Sequence, residues 1–586
     1  MPERSRTAAK PTPDPAAPWS WRDTLFVLAL TAGVALAYQR VWRAGFVWDD
    51  NTHLLNNPVF EPGGLARTWV PGATKLNYWP LTFTTFWLEH QVWGFDPLGY
   101  HLVNVCLHIL AAVLVWRVLL LLDLPGAAAM LAAGVFALHP VAVEAVAWVT
   151  QTKTLLPAVC ALLSMLCYWS YERRGGWRLY VLALAAFVLA GLARGMAVTL
   201  PVVLLMAAWW RRGRITRRDL GRTLPYVLIG VGMAVLEVAM QQKLARAEVV
   251  RGAGPVVRTL TAGWAVWFYL GKLLWPMNLS FVYPRWHVNP GHPLAYLPGV
   301  LLLVLLTGAW VRRRTWGRPV LMVLVCYLAL LLPALGFVDV YFMKYSFVAD
   351  HYQYLALVVP LAAAAALVAR GARRLTSRAG RWLVGLAAAG VVLLLAALTW
   401  AQAGVYHDQP TLWYDVLQKN PGCWLAHSDL ARVLVAQGDD AGAAAHFRLA
   451  LAIRPDQAFL EDSLGTALFR SGHPNQAVPH LERALTTPEH AHDPETYYHL
   501  GIALLALGQR ERAIEALDRA VGMNLDSNKA LKVHVTLSDL LLDLGRTPQA
   551  IAHLEQALRL ARASHQTAVA ADIENALAAC RASTPP

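Results

Sequence analysis

The sequence predicts an all-α protein in two parts, a polytopic membrane domain of about 11 spans followed by a C-terminal α-solenoid. Three observations carry this reading. Of 586 residues, 57% are hydrophobic and 15% charged, against roughly 25% charged in an average soluble domain. Apolar runs close to the roughly 20 residues that cross a bilayer recur as far as Trp400. Beyond Trp400 the aliphatic runs stop, and Asp, Glu, Gln and His enter in a repeating pattern.

Residues 1–22 are rich in Pro and Ala and read as a disordered cytoplasmic tail. The membrane domain, 23–402, has candidate spans at 24–39, 101–122, 126–139, 154–171, 177–192, 195–210, 223–241, 259–275, 294–311, 319–335, 352–370 and 381–400. Arginines bunch in the connectors, as at Arg173/Arg174, Arg211/Arg212, Arg312/Arg313/Arg314 and Arg373/Arg374, and such loops face the cytoplasm. If 259–275 crosses fully, two clusters fall on opposite sides. A re-entrant or interfacial helix there, carrying Lys272 with Trp264, Trp267, Phe268 and Tyr269, returns every cluster to the inside. Eleven crossings follow, with the N-terminus inside and the C-terminus outside. The net charge of +14 then reads as topology rather than nucleic-acid binding. The six Cys form no CxxC pair, and no His/Cys cluster has zinc spacing, so neither a disulfide framework nor a metal site is signalled.

After a linker at 403–420, Gly438, Gly472, Gly508 and Gly545 recur at intervals of 34, 36 and 37, and Ala450, Ala484, Ala520 and Ala557 keep the same intervals. Leu430-Ala431, Leu434, Gly438, Ala443, Phe447, Ala450-Leu451 and Pro455 follow the tetratricopeptide (TPR) pattern. About four such repeats occupy 421–562, with a capping helix and tail at 563–586. Stacked helix pairs of this kind present a concave face that holds peptide.

The expected topology gathers the chemistry-bearing residues on the outer face. Asp49 and Asp50 follow the first span, beside Phe46 and Trp48; they are either a general base held near the bilayer or a helix-start cap. His139 and Glu144 form a polar knot at a span end, in a corner that runs to Lys153, which can also simply snorkel. Arg194 lies between two apolar runs, where a cation needs an anion; a lipid phosphate and a carboxylate from the loops are both open. Asp350-His351-Tyr352 opens a span; Lys344, Tyr345 and Asp350 there supply a phosphate contact with an orienting acid, or the stretch is an aromatic belt with a helix cap. No GxxxxGK[ST], HExxH or GxSxG is present, which removes support for a P-loop ATPase, a zinc protease and an α/β-hydrolase.

Several stretches together resemble one family. Phe46-Val47-Trp48-Asp49-Asp50, Asn56-Asn57-Pro58, Tyr78-Trp79-Pro80-Leu81-Thr82 and Trp93-Gly94-Phe95-Asp96-Pro97 through Asn104 are similar to blocks of the transmembrane-and-TPR-containing protein O-mannosyltransferases and their bacterial relatives. His139-Pro140 through Trp148, the Arg194 to Pro201 stretch, and Ala349-Asp350-His351-Tyr352-Gln353-Tyr354 match further blocks. The resemblance implies a GT-C glycosyltransferase of the bacterial inner membrane that takes a sugar, mannose or another hexose, from a polyprenyl-phosphate donor on the outer face. It puts the catalytic base on Asp49 with Asp50 beside it, and makes Arg194, with Lys153 and Lys344, the candidates for the donor phosphate. His139, Glu144, Asp350, His351 and Tyr352 are supporting residues. No cofactor is implied with certainty beyond the donor, and the repeats are expected to hold the acceptor protein. The sequence departs from the family at Arg194-Gly195, where Lys-Pro is usual, at Thr152-Lys153-Thr154 in place of Arg-Lys-Asp, and at His351 in place of Arg. Two other readings remain: a transferase acting on a glycan or lipid, and a membrane-anchored TPR scaffold.

Overall fold

In a computed structural model of the chain, the described residues are 19–582 except 75–76, 246–253, 339 and 489, and no side chain is described at 196–197 or 241–245. The expected tail is therefore outside the described residues as far as 18. Among the described residues every regular element is helical, and the chain divides into two compact units, one ending at Asn420 and the other starting at Pro421.

The first unit contains α1 (Trp21–Ala37), α2 (Gly64–Thr68), α3 (Pro80–Trp93), α4 (Pro97–Leu121), α5 (Gly126–Ala137), α6 (Val143–Ala147), α7 (Thr152–Arg174) and α8 (Trp177–Ala193). It continues with α9 (Leu200–Arg212), α10 (Arg217–Ala245), α11 (Pro255–Leu274), α12 (Leu297–Val311), α13 (Gly317–Leu331), α14 (Val358–Arg374), α15 (Arg378–Ala403) and α16 (Gln409–Lys419). Local chemistry sets their starts. Ser20 caps α1 in a reciprocal box with Asp23, and Asp96 accepts from Leu98 N before α4, whose Pro97 gives up no needed donor.

Every sequence-predicted span overlaps a helix, but among the described residues six helices are long and apolar enough to cross a membrane, or seven if α5 and the 140–147 segment, bent by 50°, form one broken span. Of the others, α1, α8 and α14 have 17 residues each and α9 has 13, whereas α11, over the expected re-entrant segment, has 20 and is not among the six. At 1.5 Å per residue, 13 residues reach only about 20 Å of a roughly 30 Å core. The expected linker is also different. Residues 409–419 form α16, which buries Leu412, Trp413 and Val416 within the first unit, because an amphipathic stretch with a Trp lowers its free energy by covering that face.

α7 relates the two ends of this unit. Lys153 stands in its first turn and Arg173 in its last, about 30 Å apart along the axis. At the arginine end, Arg173 and Arg211 converge on Asp123, while Arg212 and Arg222 converge on Glu172. The candidate site residues Lys153 and Arg194 lie at the other end, at the start of α7 and the end of α8. Arginine connectors and site are therefore separated by about one membrane thickness.

The second unit pairs α17 (Trp424–Ala436) with α18 (Asp440–Ile453), α19 (Ala458–Arg470) with α20 (Pro474–Leu485), α21 (Pro494–Ala506) with α22 (Arg510–Gly522), and α23 (Ser527–Asp543) with α24 (Thr547–Ala563), before α25 (Thr567–Ala582). The periodic glycines at 438, 472, 508 and 545 take φ of 83°, 84°, 72° and 68°, ending each first helix in a left-handed cap. A β-carbon on Gly465 or Gly501 would meet Leu481 Cγ at 2.6 Å or Leu517 Cγ at 2.5 Å, so a bare Cα is what lets these helix pairs close.

Candidate active site

Trp48 is the first element of the site, and its backbone is unusual. Its φ is +48°, a conformation that strains a bulky L-residue. The indole is held among the rings of Trp148, Phe281, Phe342 and Tyr345, with centroids 5.3–5.9 Å away. This packing fixes the turn that presents the next two residues, and it gives them opposite environments.

Asp50 is fully buried. Its Oδ2 accepts from Val47 N at 2.8 Å, and its Oδ1 accepts from Thr150 N at 2.8 Å and from the Thr150 hydroxyl. Burial and then the neighbouring charge of Asp49 push this carboxyl up to about 7, partly offset by those donors. Asp50 is thus a strut between the first loop and the 148–150 segment rather than a free base.

Asp49 keeps 18% of its side chain exposed. Its Oδ2 lies 3.1 Å from Lys153 Nζ and 3.4 Å from His53 Nε2, whereas its Oδ1 is buried with no hydrogen-bond partner. Burial raises the carboxyl, but Lys153 and His53 outweigh it and hold Asp49 at about 2. The two adjacent acids are driven apart, one ionised and one close to neutrality.

Lys153 is only 5% exposed, so the snorkelling expected of it as one alternative does not occur. Its ammonium lies 4.7 Å from the Trp148 ring and 5.5 Å from the Trp79 ring. Arg194 Cζ is 5.7 Å from that same Trp79 ring, which brings both cations to one indole. Arg194, 8% exposed, donates one hydrogen bond, to Thr154 Oγ1 at 3.2 Å, and forms no ion pair among the described residues. Tyr352 and the carboxylates of Glu237 and Asp49 lie close enough to act on its charge without forming an ion pair among the described residues.

The other candidates split. Glu144 Oε2 accepts from His351 N at 2.9 Å, and Glu144 Oε1 lies 3.0 Å from His351 Nδ1 without hydrogen-bond alignment. Tyr283 donates to Asp350, 3.0 Å from each carboxylate oxygen. Burial, then the charge of Glu144, raises Asp350 well above the carboxylate range, and burial holds His351 well below its ordinary value. His351 is therefore a neutral packing group against Trp148 and Phe342. Tyr352 is likewise buried, its ring 6.2 Å from that of Phe342. The expected His139–Glu144 knot does not form. His139 bonds the Leu273 carbonyl at 3.0 Å and caps Val141 N, closing its own turn instead. Lys344 ends a turn whose Phe342 and Tyr345 flank Trp48, and its carbonyl accepts from Arg285 at 3.3 Å. Neither Asp49 nor Asp350 caps the following helix with its side chain.

Four contributors were not singled out from the sequence. Glu237 accepts from Trp79 Nε1 at 3.3 Å. An acid inside an apolar run is the signal that finds it. Asn104 clamps the Lys153 corner, donating to the Trp148 and Val149 carbonyls at 3.3 and 3.0 Å and accepting from Thr152 Oγ1 at 2.7 Å. Thr150 and His53 hold the two aspartates, and no local signal marks either. Among the described residues no group of three or more His, Cys, Asp and Glu is arranged to hold a metal ion.

With this geometry in view, similarity to known proteins becomes informative. Tetratricopeptide-repeat models match residues 412–458, 468–531 and 531–564. The chain is 34% identical over 198 residues to protein O-mannosyl-transferase Tmtc1 of Drosophila melanogaster, covering 32% of this chain and 23% of that protein. It is 32% identical over 152 residues to TMTC3 of Mus musculus, covering 24% and 16%. Over these stretches the chain is similar to proteins named protein O-mannosyl-transferases. It spans less than a quarter of the length of these curated relatives. Among solved structures, YrrB, a TPR protein with an unusual peptide-binding site, is 18% identical with a TM-score of 0.25, covering 28% of this chain and 81% of that one. The chain is an all-α membrane protein with C-terminal TPR repeats.

Proposed function

We propose that this chain is an inverting glycosyltransferase that moves a sugar from a polyprenyl-phosphate donor to a Ser or Thr hydroxyl of an acceptor protein. The observation that carries this reading is an ionised Asp49, one of its oxygens buried and unpaired, near two buried cations, Lys153 and Arg194, the second of which forms no ion pair among the described residues. The similarity to named protein O-mannosyl-transferases supports the reaction class.

The chemistry follows from the two halves of the site. The acceptor hydroxyl donates its hydrogen bond to Asp49 Oδ1, and its oxygen attacks the anomeric carbon from the face opposite the phosphate. The new C–O bond forms as the bond from that carbon to the phosphate oxygen breaks. The proton passes to Asp49 and polyprenyl phosphate departs carrying the bonding pair. A carboxylate held at about 2 is a weak base while Lys153 faces it. Lys153 shares the Trp79 ring with Arg194 and so is placed to help it hold the donor phosphate. Turning its ammonium toward that phosphate strips Asp49 of its main stabilising charge and strengthens the base when the leaving group arrives. General-base assistance contributes roughly 10²–10⁴-fold, with the cations stabilising the leaving phosphate.

The separation of site and arginine connectors along α7 supports the outer, extracytoplasmic face as the place of reaction, with arginines inside. The TPR unit recruits the acceptor. Intact-mass spectrometry of envelope and secreted proteins from cells with and without this chain tests the reading: hexose-sized mass shifts that vanish with the chain support it, and identical spectra contradict it.

A further inference from the structure

At the arginine end, the C-terminus of α9 and the turn between α12 and α13 enclose a cavity of about 470 Å³, lined by Trp209, Trp210, Arg313, Arg314 and Arg318 with Gly213. No carboxylate lines it. The nearby arginines 173, 211, 212 and 222 are neutralised by Asp123, Glu172 and Asp219, but Arg313, Arg314 and Arg318 form no ion pair among the described residues. Three cations thus converge on one hollow that the protein does not neutralise.

The hollow is built by tight turns. Gly213 ends α9 at φ +75°, and a β-carbon there would come 2.8 Å from Arg318 Nη1. Gly317 closes the α12–α13 turn through its N–H to Arg312 O at 3.0 Å, and a β-carbon on it would strike the Ala309 carbonyl at 2.0 Å. Arg313 is held over the Trp310 ring at 4.5 Å and donates to the Trp310 carbonyl at 3.0 Å. Trp310 in turn stacks on Trp209, with centroids 6.5 Å apart and planes at 16°.

We propose that this cavity binds the phosphate-bearing headgroup of an anionic phospholipid. Arg forks match phosphate oxygens. The cavity sits where two membrane-length apolar helices, 293–311 and 317–334, meet their polar connector. The α12 surface beneath it is apolar and open, with Leu303 at 64% and Val304 at 61% exposure. A lipid tail has a path along that surface, and tryptophans at this depth match the headgroup level. The cavity stands at the opposite end of α9 from Arg194, so the proposal does not depend on the transferase reading.

The test uses full-length protein in detergent, incubated with phosphatidylglycerol, with phosphatidylcholine, or with inorganic phosphate alone, and read by native mass spectrometry and thermal unfolding. Retention of phosphatidylglycerol over phosphatidylcholine is expected, falling by about tenfold or more in Arg313→Gln/Arg318→Gln. Arg378→Gln/Arg381→Gln, an equal loss of charge outside the cavity, should retain the lipid. Equal retention of both lipids, or undiminished retention in the cavity variant while its unfolding temperature matches the parent, overturns the proposal. Arg313/Arg318-dependent binding of inorganic phosphate as tight as that of the lipid overturns the lipid assignment in favour of a soluble phosphate.

Discussion

Lys153 Nζ lies 3.1 Å from Asp49 Oδ2, and the opposite carboxylate oxygen is left without a partner. This asymmetry divides the labour of the site. One oxygen of the carboxylate faces a cation, and the other is buried and unpaired among the described residues. The pairing joins residues 104 positions apart, held by Asp50 on one side and Asn104 on the other.

Asp50 and Asp49 should respond differently to substitution. Asp50→Ala removes the acceptor for two backbone N–H groups and the Thr150 hydroxyl, each costing about 1–3 kcal/mol if left buried and unpaired. A clear drop in unfolding temperature is expected, with lost transfer following lost structure. Asp49→Asn leaves a hydrogen-bond acceptor for Lys153 in place and should lower the unfolding temperature less than Asp50→Ala does. Comparing the two by thermal unfolding in the same detergent checks the division.

Lys153→Met should lower transfer by roughly 10²–10³-fold, the size of losing one preorganised charge at a developing anion. Lys153→Arg should recover part of it, with altered geometry. Transfer kinetics at saturating acceptor measure both. Full activity in Lys153→Met would remove the cation from the mechanism.

Arg194→Gln keeps a hydrogen bond to Thr154 within reach but removes the charge without an ion-pair partner. A rise in the KM for the polyprenyl-phosphate donor is expected, together with a lower kcat, while the KM for acceptor peptide stays unchanged. Steady-state kinetics with each substrate varied in turn separate these outcomes.

The repeats carry their own pH signature. His534 and His553 face each other through their Nδ1 atoms at 3.0 Å. Burial, then the neighbouring His553, lowers His534 to about 4. The unfolded chain therefore takes up this proton near 6.5, before the folded one does. The pair's contribution to stability is present above about 6.5 and is lost as pH falls toward 4. His534→Asn abolishes this titration, so the stability difference between parent and variant should shift against the parent as pH falls through that window. Thermal unfolding across the window, followed through the repeat transition, checks the sign.

The repeats could be read from the sequence because their glycines must adopt positive φ or admit a neighbouring leucine at fixed intervals. The helices of the membrane unit were equally legible from their apolar runs, although their lengths were not, since a run shows no difference between a full crossing and a 13-residue helix such as α9. Asp49, Lys153 and Arg194 were found as charges beside apolar segments, and the structure brings Lys153 and Arg194 to Trp79 and Asp49 to Lys153. The split between Asp49 and Asp50 was not legible. Adjacent acids look alike until Thr150, 100 positions away, buries one of them. Glu144 and His351 meet across 207 positions, and neither residue carries that partner in its local sequence.

The central claim is that Asp49 accepts the proton of an acceptor hydroxyl during sugar transfer. Its most direct test is the turnover of purified Asp49→Asn against the parent, with a polyprenyl-phosphate sugar and a Ser/Thr peptide, each protein first matched for unfolding temperature. The account predicts transfer reduced by roughly 10²–10⁴-fold with donor binding retained. Turnover equal to the parent would contradict it.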